Sequence, residues 1–230
     1  MSSANSEDRA AALRKVRTVI ERMVRDGTAV ARSDGSVHDL FPVAVSAAEG
    51  EALRGWVVRE AAAHTIEVGL GYGLSTLFIC EGLLASGDAA ARHIAVDPFQ
   101  ATRFAGCGLQ FLDEAGLAEM VEHCPEESQI ALPRLLSEGR SFDFAFVDGN
   151  HRFDGVFLDL AYLGRLVRTG GILFLDDYQL PAVARASAFY VANLGWTIEE
   201  ISPDDTLHQW AVLRTAKLPD KRPFDYYVDF

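Results

Sequence analysis

At 230 residues, 49% of them hydrophobic, the chain is long enough to bury one substantial core. Its 33 acidic and 21 basic side chains leave a formal charge of −12, which argues against nucleic acid or an anionic membrane as the principal partner and favours a small molecule. Three cysteines without C-x-x-C spacing give neither a disulfide framework nor a zinc site, and the opening residues lack the basic and apolar regions of a signal peptide, so a soluble, cytoplasmic protein is expected.

From about Glu7 to Asp26, Ala11, Leu13, Val16, Val19, Ile20 and Met23 recur at helical spacing among charged residues, and Gly27 is a natural stop. Ser46 and Glu49 stand at capping-box spacing, predicting a second helix to about Ala62. Residues 1–63 thus read as a helical lead-in, 64–215 as a core and 216–230 as an aromatic tail, all within a single domain. Through the core, strand-like runs near 65–70, 93–97, 120–124, 142–148, 171–176, 196–201 and 208–214 alternate with helices starting near 74, 104, 128, 155 and 182. That alternation predicts an α/β fold whose mostly parallel sheet carries helices on both faces. The connection over 202–206 is too short for a helical crossover, so the last two strands should form an antiparallel hairpin. The tail, with Phe224, Tyr226, Tyr227 and Phe230, reads as packing on its own domain or as a lid or subunit contact. Together with the amphipathic first helix it favours a homodimer.

The most informative stretch is Thr65 to Thr76, where a short apolar strand bearing Glu67 breaks into a turn with Gly69, Gly71 and Gly73 and then opens a helix. Backbone approaches a ligand closely only where side chains are absent. Neither register fits G-x-G-x-x-G, since the last position falls on Leu74 or Thr76, and no P-loop occurs. Glu67 would repel a pyrophosphate but suits a ligand with an ammonium group. One strand later, the run from His93 ends in Asp97, where a doubly wound sheet places an acid for ribose hydroxyls.

The stretch resembles the first motif, E/D-x-G-x-G-x-G, of class I S-adenosylmethionine-dependent methyltransferases, matched by Glu67, Gly69, Gly71 and Gly73. The resemblance implies a Rossmann-like sheet of seven strands with S-adenosyl-L-methionine as cofactor. The glycines would admit its methionine moiety, Glu67 balance its ammonium, and Asp97 fix its ribose, with Pro98 and Phe99 along the adenosine. Ser128, beside Gln129, resembles the family's adenine contact, although a helix N-cap explains it equally. Ser75 and Asp148 complete the expected cofactor contacts.

Two further strands end in acids, at Asp148 and at Asp176-Asp177, and in an open α/β sheet these ends share the ligand crevice. Three close carboxylates need a cation, donors or protons to relieve them, and oxygen-only ligands suit Mg2+ or a relative such as Ca2+ or Mn2+. The order strand-Asp-Gly-x-His, helix, Gly-Gly, strand-Asp-Asp is similar to small-molecule O-methyltransferases, including antibiotic-tailoring sugar and catechol-type enzymes. In that branch the equivalents of Asp148, Asp176 and Asp177 hold a divalent ion, and methyltransferases without a metal keep acids there as well. His151 lies about where the catechol enzymes carry a catalytic lysine, and an imidazole can accept a hydroxyl proton near neutral pH. Histidines 38, 64, 93, 123 and 208 read as ordinary surface or core residues, with His38, near Phe41, the other candidate substrate contact.

The expected function is a Mg2+-assisted O-methyltransferase acting on a small natural-product or sugar-like hydroxyl. Its rivals are a metal-independent methyltransferase, a non-catalytic cofactor-binding protein and, weakly, a nicotinamide oxidoreductase.

Overall fold

The computed structural model describes residues 2–203, 208–217 and 220–230, with side chains from Glu7 onward. Residues 204–206 of the expected hairpin connection, and residues 218 and 219 of the tail, lie outside it. The chain divides into two compact units, residues 1–127 and 128–230.

In the first unit, α1 (Ser2–Asp26) buries Val16, Val19, Ile20 and Met23, and Gly27 ends it in a left-handed conformation at φ 64°. The lead-in is not wholly helical. Strands β1 (Thr28–Val30) and β2 (Val37–Asp39) pair antiparallel before α2 (Ala47–Arg59), whose N-cap Ser46 accepts from the Glu49 amide at 3.1 Å. Runs of three residues around a Ser-Asp-Gly turn are too short to show a period, which is why the sequence conceals them.

Next come β3 (His64–Val68), α3 (Leu74–Ser86), β4 (Arg92–Val96), α4 (Cys107–Ala115) and β5 (Val121–Cys124), with β3, β4 and β5 pairing parallel. Ten consecutive residues of α3, Leu74 to Leu83, are buried, because α1 and α2 both pack on it. Gly50 lets α2 come close: a Cβ there would lie 2.1 Å from the Phe78 ring. The buried Glu81 meets Arg17 of α1 at 2.5 Å and Arg54 of α2 at 3.9 Å. Cys80, Cys107 and Cys124 are buried thiols that form no disulfide among the described residues.

The second unit holds α5 (Ser128–Ser137), β6 (Phe142–Val147), α6 (Phe153–Leu166), β7 (Val167–Leu175), α7 (Pro181–Leu194), β8 (Thr197–Ile201) and β9 (Ala211–Arg214). β6 and β7 are parallel, whereas β9 runs antiparallel to both β7 and β8. β7 begins before the Gly170-Gly171 pair expected to precede it, because a register shift against Phe142 and Phe144 absorbs the glycines within the strand. The tail packs on its own unit. Asn193 of α7 donates to the Val228 carbonyl at 2.9 Å and accepts from the Val228 amide at 2.8 Å, while Phe230 meets Phe189 edge-on at 5.2 Å.

The strand order is β5-β4-β3-β6-β7-β9-β8, the seven-stranded, mostly parallel Rossmann-like sheet with an antiparallel end. No described helix is long and apolar enough to cross a membrane.

Candidate active site

In the first unit the glycine turn is set by conformation. Gly69, Gly71 and Gly73 all have positive φ (99°, 51° and 83°), and Gly73 is the left-handed N-cap of α3. Asp97 organises this turn. Its Oδ2 accepts from the amides of Leu70 at 3.2 Å and Gly71 at 2.9 Å and from Gln100 Nε2 at 3.1 Å. Its Oδ1 accepts from the Phe99 amide at 2.6 Å, leaving capacity for one more donor. Gln100, buried in the turn after Asp97, also donates to the Gly71 carbonyl at 2.7 Å, and nothing in the sequence marked it. His123 likewise holds the Asp97 carbonyl through Nε2 at 2.9 Å.

Glu67 is fully buried and works inward: Ser75 donates to its Oε2 at 3.0 Å, Thr76 donates to its Oε1, and His93 Nε2 lies 3.3 Å from Oε1. Glu67 and Ser75 therefore fasten the start of α3 to β3. Phe99 is half exposed beyond Pro98. The His38 ring stands 6.3 Å from Tyr72, with its Nε2 on the Ser36 hydroxyl at 2.7 Å.

In the second unit, β6 and β7 run parallel with Val147 opposite Leu175, so Asp148 and the Asp176-Asp177 pair emerge at one edge. Asp176 is pinned there, its amide donating to the Val147 carbonyl at 3.1 Å and its Oδ1 accepting from the Asp177 amide at 2.6 Å. His151 brings the acids together. Its Nε2 lies 3.3 Å from Asp148 Oδ1 and its Nδ1 3.2 Å from Asp177 Oδ2. Asp177 reaches the other way too, with Oδ1 3.1 Å from His208 Nδ1 and 2.7 Å from Gln179 Nε2.

The result is a chain of alternating acid and imidazole, Asp148–His151–Asp177–His208. Burial pushes Asp148 up to about 7, with Asp176 and Asp177 adding to the rise and His151 opposing it. The Asp148 hydrogen bond raises His151 in turn. His151 has a carboxylate facing each ring nitrogen, an arrangement that favours its protonated form.

His208 is not the ordinary residue its sequence context suggested. Antiparallel pairing sets Leu175 opposite Ala211, which carries the residues before Ala211 alongside Asp176 and Asp177. Only that register could have revealed it. Among the described residues two sets of candidate cation ligands result, Asp148 with His151 and Asp177, and Asp176 with Asp177 and His208, the atoms of each lying within 4.8 Å of one another. Ser128, at the start of α5, donates to the buried Asp159 of α6.

A cavity of about 740 Å3 opens elsewhere in this unit, among the end of α7, strands β8 and β9 and the tail, lined by charged residues of both signs such as Glu199, Arg214, Asp220 and Arg222. It contains none of the residues the motifs marked.

Residues 66–178, which include both acidic strand ends, match the family model described as a methyltransferase domain. The chain carries a class I methyltransferase domain. A caffeoyl-CoA O-methyltransferase homologue of Arabidopsis thaliana is 29% identical over 116 residues, covering 50% of this chain and 47% of its own. The chain thus spans about half the length of that relative.

Solved structures share the fold of this methyltransferase domain over most of the chain. An O-methyltransferase of Bacillus cereus in complex with S-adenosylhomocysteine has a TM-score of 0.67 at 16% identity, covering 90% of this chain and 91% of its own. The O-methyltransferase TomG of Streptomyces achromogenes, solved with S-adenosylmethionine, gives 0.67 at 20% identity, covering 86% and 89%. The S-adenosylhomocysteine-bound methyltransferase PaMTH1 of Podospora anserina gives 0.64 at 16% identity, covering 94% and 97%.

Proposed function

We propose that this protein transfers the methyl group of S-adenosylmethionine to a hydroxyl of a small natural-product or sugar-like acceptor, with a divalent cation at the acidic strand ends. The observation that carries the reading is the run Asp148–His151–Asp177 at the ends of β6 and β7, within a methyltransferase domain. The acceptor oxygen attacks the methyl carbon, the carbon–sulfur bond breaks, and its electron pair stays on sulfur, releasing S-adenosylhomocysteine. Sulfonium is a good leaving group, so the protein's work is alignment and proton removal.

The proton passes to His151, the neutral imidazole being the base. Asp97 and the left-handed glycines hold the cofactor, with Oδ1 of Asp97 the atom open to a ribose hydroxyl. Pro98, Phe99 and Ser128 are assigned to the adenosine, and Glu67 and Ser75 shape the turn that receives the methionine end. The carboxylates of Asp148, Asp176 and Asp177 suit a hard divalent ion such as Mg2+, which supplies Lewis acidity toward the acceptor hydroxyl. A single cytoplasmic domain that forms a homodimer completes the proposal.

The test is methyl transfer from labelled S-adenosylmethionine to a panel of sugars, catechols and other diols, with and without EDTA. Calorimetric titration with S-adenosylhomocysteine and NAD and light scattering for the dimer accompany it. Transfer that EDTA abolishes and Mg2+ restores is expected. Transfer indifferent to EDTA would give the metal-independent reading its place, and cofactor binding without transfer to any acceptor would make the protein a non-catalytic binder.

A further inference from the structure

The cation reading rests on oxygen ligands alone, yet the folded chain sets an imidazole among them. His208 Nδ1 lies 3.1 Å from Asp177 Oδ1, and it joins Asp176 and Asp177 in a set whose ligand atoms lie within 4.8 Å of one another. Both carboxylates are held fast. Asp176 and Asp177 are only 6% and 9% exposed, the Asp176 Oδ1 accepts from the next amide, and Gln179 fixes the Asp177 Oδ1. His208 Nε2 is buried and has no hydrogen-bond partner among the described residues. His151 spans Asp148 and Asp177 through its two nitrogens, whereas His208 faces Asp177 through Nδ1, the nitrogen that it brings to the second set.

Ligand chemistry separates the two classes of ion. Mg2+ takes oxygen ligands and gives up its waters reluctantly, whereas imidazole nitrogen suits first-row transition ions, whose affinity rises along the series from Mn2+ through Fe2+ and Co2+. Building on the cation reading above, we infer that His208 is a selectivity ligand, adding one nitrogen to the carboxylates and turning the site from Mg2+ toward a divalent transition ion of the Mn2+, Fe2+ or Co2+ type.

The experiment titrates the full chain, freed of metal, with MgCl2, MnCl2 and CoCl2 separately by calorimetry, for wild type and for His208→Asn. Pulsed electron paramagnetic resonance of the Mn2+-loaded protein reads nitrogen coupling directly, and thermal melting confirms that each variant is folded. The expected result is Co2+ and Mn2+ binding at least ~10-fold tighter than Mg2+ in wild type. His208→Asn should lose most of that preference while keeping its Mg2+ affinity, and the 14N coupling should vanish in His208→Asn but persist in His151→Asn. If wild type and His208→Asn show the same ratio of Mn2+ to Mg2+ affinity, or if coupling survives the loss of His208, the inference fails while the cation reading stands. If no divalent ion binds the wild type, both fall.

Discussion

Asp97 shows how one side chain can serve the fold and the ligand together. Three of its donors belong to the backbone of its surroundings, Leu70, Gly71 and Phe99, so the carboxylate shapes the turn before any cofactor arrives. In Asp97→Asn the new amide would face the Phe99 N–H, donor against donor, and the charge is gone. Affinity for S-adenosylhomocysteine should fall by about 1.5–3 kcal/mol, the scale of a hydrogen bond to a charged group, in a calorimetric titration. Wild-type affinity in this variant would remove Asp97 from the cofactor's contacts. His151 is the other pivotal residue. A general base must be neutral to accept a proton, and the hydrogen bond to Asp148 raises His151, so the active form is lost at acid pH and kcat should climb as pH rises through the histidine's titration. His151→Ala should lower kcat by roughly 10²–10⁴-fold and erase that climb while leaving cofactor affinity intact. A near-normal kcat at saturating acceptor would exclude the role.

At the scale of elements, α5 and α6 meet through a carboxylate. Asp159 of α6 is buried with its Oδ2 unpartnered, and burial raises it to about 6 against the help of the Ser128 hydroxyl. Its folded value thus exceeds its unfolded one, so its contribution to stability is whole below about pH 4 and is lost as pH rises toward 6. Asp159→Asn should therefore leave stability near pH 4 almost unchanged and raise it above pH 6, by roughly 3 kcal/mol at most, in denaturant melts at both pH values. A variant equally stable or weaker at pH 7 would refute that account. The same scale explains what the sequence could disclose. The glycine turn, Asp97 and the acids after β6 and β7 were legible because each ends an apolar run at a break in period. β1 and β2 were not, being three residues each, and His208 was hidden because its company depends on the pairing of β9 with β7. Gln100 was invisible for a different reason: its work is done with backbone atoms across a turn, which leaves no pattern.

For the whole molecule, alternating strands and helices foretold an α/β fold with an antiparallel terminal pair, while the spatial order β5-β4-β3-β6-β7-β9-β8 follows from which strands find one another. The tail illustrates the same limit. Its aromatic content drew notice, and Phe230 does pack on Phe189, yet the fastening that the sequence hid is the amide of Asn193, which meets both the N–H and the carbonyl of Val228. That single side chain takes the place a neighbouring strand would hold, and it reads the tail's main chain without regard to which residue presents it. That fastening is therefore indifferent to which residue stands at 228, whereas the contact with Phe189 needs the ring of Phe230. Val228→Thr should stay docked, whereas Asn193→Ala should free the segment after Tyr227, seen as faster amide exchange or new proteolytic cleavage there. Drift at position 228 would cost this protein little; drift at one position of α7 would loosen the tail.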